Sequence, residues 1–275
     1  MIRIAVAVAT ADAMPSAFVV WRGIEESVAK AAELGYDGIE LALKTADQVD
    51  AASMKRLLAE RGLGCPCIST GQVFAALGLY FTAREDGKRA EVIRVFKGMI
   101  DLAAELGSLV NIGRARGFVE EGETVEQAED RFVSVAREIA AYGAAKGVRL
   151  VLEPVNRYEI NFINSVEQGA RLMEKVGAPN LGLMPDLFHM NIEDPSLPGE
   201  LERYARHVGY VHFADSNRLA PGQGHTDFDA VLAALKRIDY DGWISVEILP
   251  EPDPDTAARQ AVEYLRPLVE EYNRA

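Results

Sequence analysis

The 275-residue chain carries 42 acidic against 29 basic residues, a formal net charge of −13, which argues against a nucleic-acid backbone or an anionic membrane as its main partner. A small neutral substrate fits that balance better. With 49% hydrophobic and 26% charged residues the chain has the apolar content of an ordinary globular protein with a large core, which excludes disorder.

The first apolar stretch, Ile2 to Ala9, is too short to span a bilayer and lacks the basic start and long apolar core of a secretory leader. It reads as a first strand of a cytoplasmic protein. Further strands are expected at Gly38 to Leu43, Gly64 to Ser69, Leu109 to Gly113, Val148 to Glu153, Leu181 to Pro185, Val208 to Phe213 and Trp243 to Ile248. Most are apolar throughout, as strands covered on both faces are. Cys65 and Cys67 flank Pro66 on the third of them; this is neither a CxxC redox pair nor half a zinc site, and reads as two buried thiols in a reducing compartment.

Segments of helical period separate the strands. Val92, Phe96, Met99, Ala103 and Leu106 recur at that spacing, as do Phe132, Val135, Ile139 and Tyr142, and Ala258, Ala261, Leu265, Leu268 and Tyr272. Glycines 35, 62, 107, 147 and 177 close helices just before the next strand. Eight strand–helix pairs without a linker, repeat or low-complexity tract predict one domain over residues 1–275, an α/β chain closed into a (β/α)8 TIM barrel. An open doubly wound sheet would carry a glycine-rich phosphate loop after its first strand, and Ala9-Thr10-Ala11-Asp12 is not one. No nucleotide cofactor is expected.

In such a barrel the functional groups come from the carboxyl ends of the strands. The fifth strand ends in Glu153, the sixth in Asp186, the seventh carries His212 and the eighth Glu247. Charged groups at the ends of apolar strands are costly unless paired or bound to metal, and three carboxylates together repel. Separate salt bridges would answer for any one of them. For all four, a single divalent ion is the simpler reading, and three oxygen ligands with one imidazole suit manganese, magnesium, cobalt or zinc.

The segments LEPVNRYE, MPDLFHMNIED, VHFADSNRLAPGQGHTDF and SVEI resemble the xylose-isomerase-like sugar isomerase and epimerase superfamily, most of all its ketose 3-epimerases of the D-tagatose 3-epimerase type. The resemblance implies a ketose 3-epimerase or isomerase with one divalent ion, manganese first, held by Glu153, Asp186, His212 and Glu247. It implies that Glu153 and Glu247 double as the acid–base pair that removes and returns a proton beside the sugar carbonyl, through an enediolate. It implies substrate contacts for His189, Arg218 and Glu159, and a homodimer or homotetramer.

Hydroxypyruvate isomerase-like enzymes share the ligands but usually carry a glutamate where this chain has His225, and keto-glycoside epimerases have similar motifs. Metal-dependent phosphodiesterases of the endonuclease IV kind need more ligands and a positive face than four histidines and an acidic chain provide. Asp227 reads as a helix N-cap, His207 as a residue of the barrel's stability end, and Glu40 ends the second strand, where it can face the pocket but is not assigned to it. Gln72, Arg114 and Arg116 follow the third and fourth strands, where they can grip the far end of a substrate; paired arginines there suit a carboxylate or phosphate, or bridge to acidic helices.

Overall fold

The computed structural model describes residues 1–14 and 18–274. Eight parallel strands form the barrel: β1 (Arg3–Ala9), β2 (Gly38–Ala42), β3 (Gly64–Ser69), β4 (Leu109–Ile112), β5 (Leu150–Leu152), β6 (Leu181–Leu183), β7 (Val211–Phe213) and β8 (Trp243–Val246). Their spatial order is β6-β5-β4-β3-β2-β1-β8-β7. The last two neighbours, β6 and β7, are joined only by single parallel bridges, Leu183 with Val208 and Asp186 with His212. Pro185 lacks an N–H, so the ladder cannot run on through it. The seam is held instead by Gly209 N–H on Leu183 O and His212 N–H on Pro185 O, each at 2.9 Å.

All eight expected strands are present, most of them shorter at an end than the apolar runs suggest. A further two-residue strand, Trp21–Arg22, lies parallel to β1 beside Val8 and Ala9 and was not foreseen. The crossover helices are α1 (Ile24–Leu34), α2 (Ala51–Arg61), α3 (Gly71–Leu77), α4 (Asp86–Leu106), α5 (Val125–Ala145), α6 (Val166–Val176), α7 (Leu187–Glu193), α8 (Leu197–Arg203), α9 (Phe228–Arg237) and α10 (Pro254–Arg274). Gly35, Gly62, Gly107 and Gly177 cap α1, α2, α4 and α6 with left-handed backbones, while Gly147 lies one residue beyond the cap of α5. Among the described residues no helix is long and apolar enough to cross a membrane.

Side chains alternate across each strand, so one parity meets the helices and the other fills the barrel. Ile4, Val6 and Val8 of β1, Ile39 and Leu41 of β2, Val110 and Ile112 of β4, and Leu150 and Leu152 of β5 belong to the large apolar layer under the helices. Cys67, Val151, Met184 and Tyr210 form a separate apolar cluster that plugs the barrel interior. Both cysteines are buried free thiols, and burial pushes Cys65 up to about 12, so neither is a nucleophile at neutral pH.

Asp194, which caps the end of α7, accepts the Val166 N–H at the start of α6 at 3.2 Å, and its other oxygen is buried without a partner. Burial pushes its carboxyl up to about 7. A folded-state value above the unfolded 3.8 means that the folded chain holds the proton longer. Asp194 therefore contributes stability that is complete below about pH 4 and lost as pH rises through 7. Asp194→Asn should match wild type near pH 4 and exceed it at pH 8 by on the order of 1–3 kcal/mol in chemical denaturation. A variant equally destabilised at both pH values would contradict this account.

Candidate active site

The same alternation that builds the core aims the polar residues. Val211 and Phe213 face the helices, as do Ile244, Val246 and Ile248, so His212 and Glu247 share the inward parity. Glu153 follows Leu152 on that parity, and Asp186 follows Met184 two residues on. Glu153, Asp186, His212 and Glu247 each place one ligand atom within 4.8 Å of the others, at the carboxyl end of the barrel. Nδ1 of His212 stands 3.4 Å from Glu153 Oε1, 3.6 Å from Asp186 Oδ2 and 3.7 Å from Glu247 Oε2. Asp186 and His212 also form the bridge that closes the barrel, so the seam and the cluster are one feature.

Glu40, left outside the pocket by the sequence reading, is fully buried behind this cluster. Nε2 of His212 donates to both of its carboxylate oxygens at 3.1 Å. A carboxylate cannot donate, so Nε2 keeps its proton and Nδ1 is turned toward the three carboxylates. Asn111, also inward on β4, donates to Glu153 Oε2 at 3.2 Å. A Cβ on Gly113 would stand 3.1 Å from that oxygen, so the bare backbone there leaves the carboxylate its room.

Arg116 is fully buried and donates to the backbone carbonyls of Phe162 at 2.8 Å and Glu153 at 2.7 Å. It braces the loop after β5 rather than gripping a ligand, although burial draws its guanidinium down to about 10. Gln72 is likewise committed, donating to Ala42 O and accepting from Met14 N–H. Asp227 caps α9 through Ala230 N–H, as expected, and His225 bonds Ser216 outside the cluster.

His189, Arg218 and Glu159 line the same cleft as Glu153 and Glu247. Arg218 adopts a left-handed backbone at φ 62°, rare for a bulky residue and a sign of a conformation imposed by its surroundings. Its guanidinium is stacked between the rings of Phe18 at 3.5 Å and Phe188 at 4.8 Å. It donates to Glu159 Oε1 at 2.8 Å and Glu247 Oε2 at 3.2 Å. Burial opposes its charge, but Glu247 and Asp186 outweigh burial and raise it further above the ordinary arginine range.

Asn156, which the sequence reading did not single out, determines how His189 is used. Its Nδ2 donates to Nδ1 of His189 at 2.8 Å and its backbone N–H lies 3.4 Å from the same atom. Nδ1 is therefore the acceptor, and a neutral ring must carry its proton on Nε2. Burial lowers the His189 pKa and keeps the ring neutral, leaving one N–H donor in the cleft.

The charges of the cluster call for a cation. Burial and the neighbouring Glu153 push Glu247 up to about 8, with His212 opposing. Burial works against ionisation of Glu153 too, but the neighbouring His212 brings its carboxyl below the ordinary value. Burial disfavours a charged His212, yet Glu40 and Glu247 drive its pKa well above normal. Asp186 Oδ2 and His212 Nδ1 are buried without hydrogen-bond partners. Two orphaned ligand atoms among converging carboxylates are what a divalent ion relieves, so the donor set of three oxygens and one nitrogen fits one.

A family model described as a xylose isomerase-like TIM barrel matches residues 28–268. The chain is 35% identical to an L-ribulose 3-epimerase of Methylomonas sp. (strain DH-1) over 82% of this chain and 78% of that one. It is 32% identical to a ketose 3-epimerase of Arthrobacter globiformis over 82% of this chain and 77% of the relative. The crystal structure of a Methylomonas sp. D-allulose 3-epimerase in complex with D-allulose superposes with a TM-score of 0.83 at 28% identity, covering 97% of this chain and 96% of that one. The chain therefore belongs to the xylose isomerase-like TIM-barrel family and is an enzyme of its carbohydrate epimerase and isomerase group.

Proposed function

We propose that the chain, as one catalytic domain over residues 1–275, is a metal-dependent ketose 3-epimerase in which Glu153 and Glu247 carry the proton. The observation that carries this reading is the convergence of Glu153, Asp186, His212 and Glu247 around a point where two buried ligand atoms have no partner. These four residues would hold one divalent ion, manganese first and magnesium, cobalt or zinc as alternatives. When bound, the ion supplies Lewis acidity toward the carbonyl and adjacent hydroxyl oxygens of the sugar.

The remaining chemistry belongs to side chains. One glutamate takes the proton from the carbon beside the carbonyl; the other, on the opposite side of the substrate, returns one to the far face, which inverts that centre without oxidation or reduction. Nε2–H of His189 donates to a substrate oxygen, and Arg218 stabilises the negative charge that develops on the enediolate. Glu159 holds one arm of Arg218 and lines the cleft. The names of the relatives support a ketose as the substrate class.

Incubation of the metal-loaded protein with ketoses, keto-glycosides and hydroxypyruvate in deuterated water, followed by NMR, should show deuterium entering at C3 of a ketose with formation of its C3 epimer. Exchange confined to hydroxypyruvate, or at another carbon of a keto-glycoside, would replace the proposed reaction with that one. Arg218→Ala should lower kcat by roughly 10- to 1000-fold, as loss of a transition-state donor does. A change in KM alone would make Arg218 a uniform binding group instead.

A further inference from the structure

Two guanidinium groups line the cleft, and they are used differently. Arg218 is ion-paired with Glu159 and Glu247 through its two terminal nitrogens. Arg114, in the turn Arg114–Arg116 after β4, makes no ion pair with any described residue, and its Nε is buried with no partner. It is held in place by the ring of Phe74, 5.2 Å from the guanidinium carbon. Leaving a half-buried guanidinium unpaired in a chain with a net charge of −13 is costly when acidic partners are so abundant. Glu159, a carboxylate of the same cleft wall, is engaged by Arg218 and by Asn156 Nδ2.

The position of Arg114 relative to the chemistry is defined by topology. The four ligand-type residues lie on or just after β5 to β8, whereas Arg114 follows β4, next in the sheet to β3, whose end and following helix bring Ser69, Gln72 and Ala75 to the cleft. A sugar whose carbonyl end lies at the cluster thus directs its other end toward this side. A second, more open hollow lined by Phe74 and Phe118 also borders Arg114. Arg116, by contrast, is fully buried, donates to backbone carbonyls and does not line the cleft, so Arg114 is the cation this loop presents there.

We infer that Arg114 is a specificity-determining residue that binds an anionic group, a carboxylate or a phosphate, on the end of the keto-sugar remote from the metal-ligand cluster. This rests on the epimerase reading above. The free donors of a guanidinium fork match either anion, and such a charge-assisted contact favours the anionic substrate over its neutral counterpart by roughly 10- to 100-fold. Because the contact is the same before and during proton transfer, it acts mainly on KM.

The test compares the four D-ketohexoses, each as free sugar, 6-carboxylate and 6-phosphate, with the metal-loaded full chain in deuterated water. One anionic series should exceed its neutral sugar in kcat/KM for exchange by at least about 10-fold, and which series does so identifies the anion. Arg114→Gln should reduce that anionic-to-neutral ratio by roughly 10- to 100-fold, chiefly through KM, and Arg114→Lys should restore part of it. A wild type that prefers neutral ketoses, or a ratio unmoved in Arg114→Gln, overturns the inference while leaving the epimerase reading standing. Absence of exchange with every sugar would remove both.

Discussion

Glu153→Gln and Glu247→Gln should each slow exchange of the proton beside the sugar carbonyl by at least about 1000-fold, measured as deuterium incorporation by metal-loaded protein. Glutamine keeps the length of the side chain and one oxygen that can still approach a cation, but it neither accepts nor returns a proton at neutral pH. In each case the loss should appear in kcat, because the missing step is proton transfer. The two variants differ in what they leave behind. Glu247 is hydrogen-bonded to Arg218, so its amide analogue also changes the neighbour of that guanidinium. Glu153 is held by Asn111 and by the Arg116 brace on its own backbone, so its amide is kept in position. Exchange at the wild-type rate in either variant would exclude that residue from proton transfer.

The second large effect is expected at Glu40, whose hydrogen bonds among the described residues join it to the ligand-type cluster through His212. Its two contacts at 3.1 Å to Nε2 set the ring's orientation and tautomer. Glu40→Leu removes both and leaves a fully buried imidazole N–H unsatisfied, whereas Glu40→Gln keeps one acceptor oxygen. Divalent-ion affinity, measured by titration calorimetry, should fall by roughly 10- to 100-fold in Glu40→Leu and less in Glu40→Gln. The increase in Tm on adding manganese should shrink in the same order, a readout independent of turnover. Equal affinity in wild type and Glu40→Leu would mean that His212 is oriented by its strand alone.

The barrel was legible because strands buried on both faces leave apolar runs that glycine-capped helices separate, and those runs coincide with all eight strands. Their ends were less legible. The run from Val208 reads as strand, yet only a single bridge joins Val208 to β6 and the regular strand begins at Val211. Backbone pairing across the seam decides that, and side-chain hydropathy does not record it. Trp21–Arg22 was invisible for a related reason: two residues carry no period, and only the edge of β1 makes them a strand.

The four cluster residues stood out as ligand types at the ends of apolar strands. Glu40 and Asn111 carry the same inward parity between apolar neighbours, Ile39 and Leu41 in one case and Val110 and Ile112 in the other, a signal of interior polar groups that the sequence reading did not use. Their partners were not marked, since His212 lies 172 residues from Glu40 in sequence. The division of the arginine pair was equally hidden. Arg114 and Arg116 are two residues apart in one short turn, and only the carbonyls of Glu153 and Phe162 separate the structural one from the one facing the cleft.

The central claim is that the four converging residues hold an ion on which proton exchange by Glu153 and Glu247 depends. The direct measurement is exchange at C3 of a ketose in deuterated water by exhaustively chelated protein, followed by stepwise addition of manganese. The account predicts no exchange above background without metal and full recovery at one equivalent. Undiminished exchange by metal-free protein would contradict it.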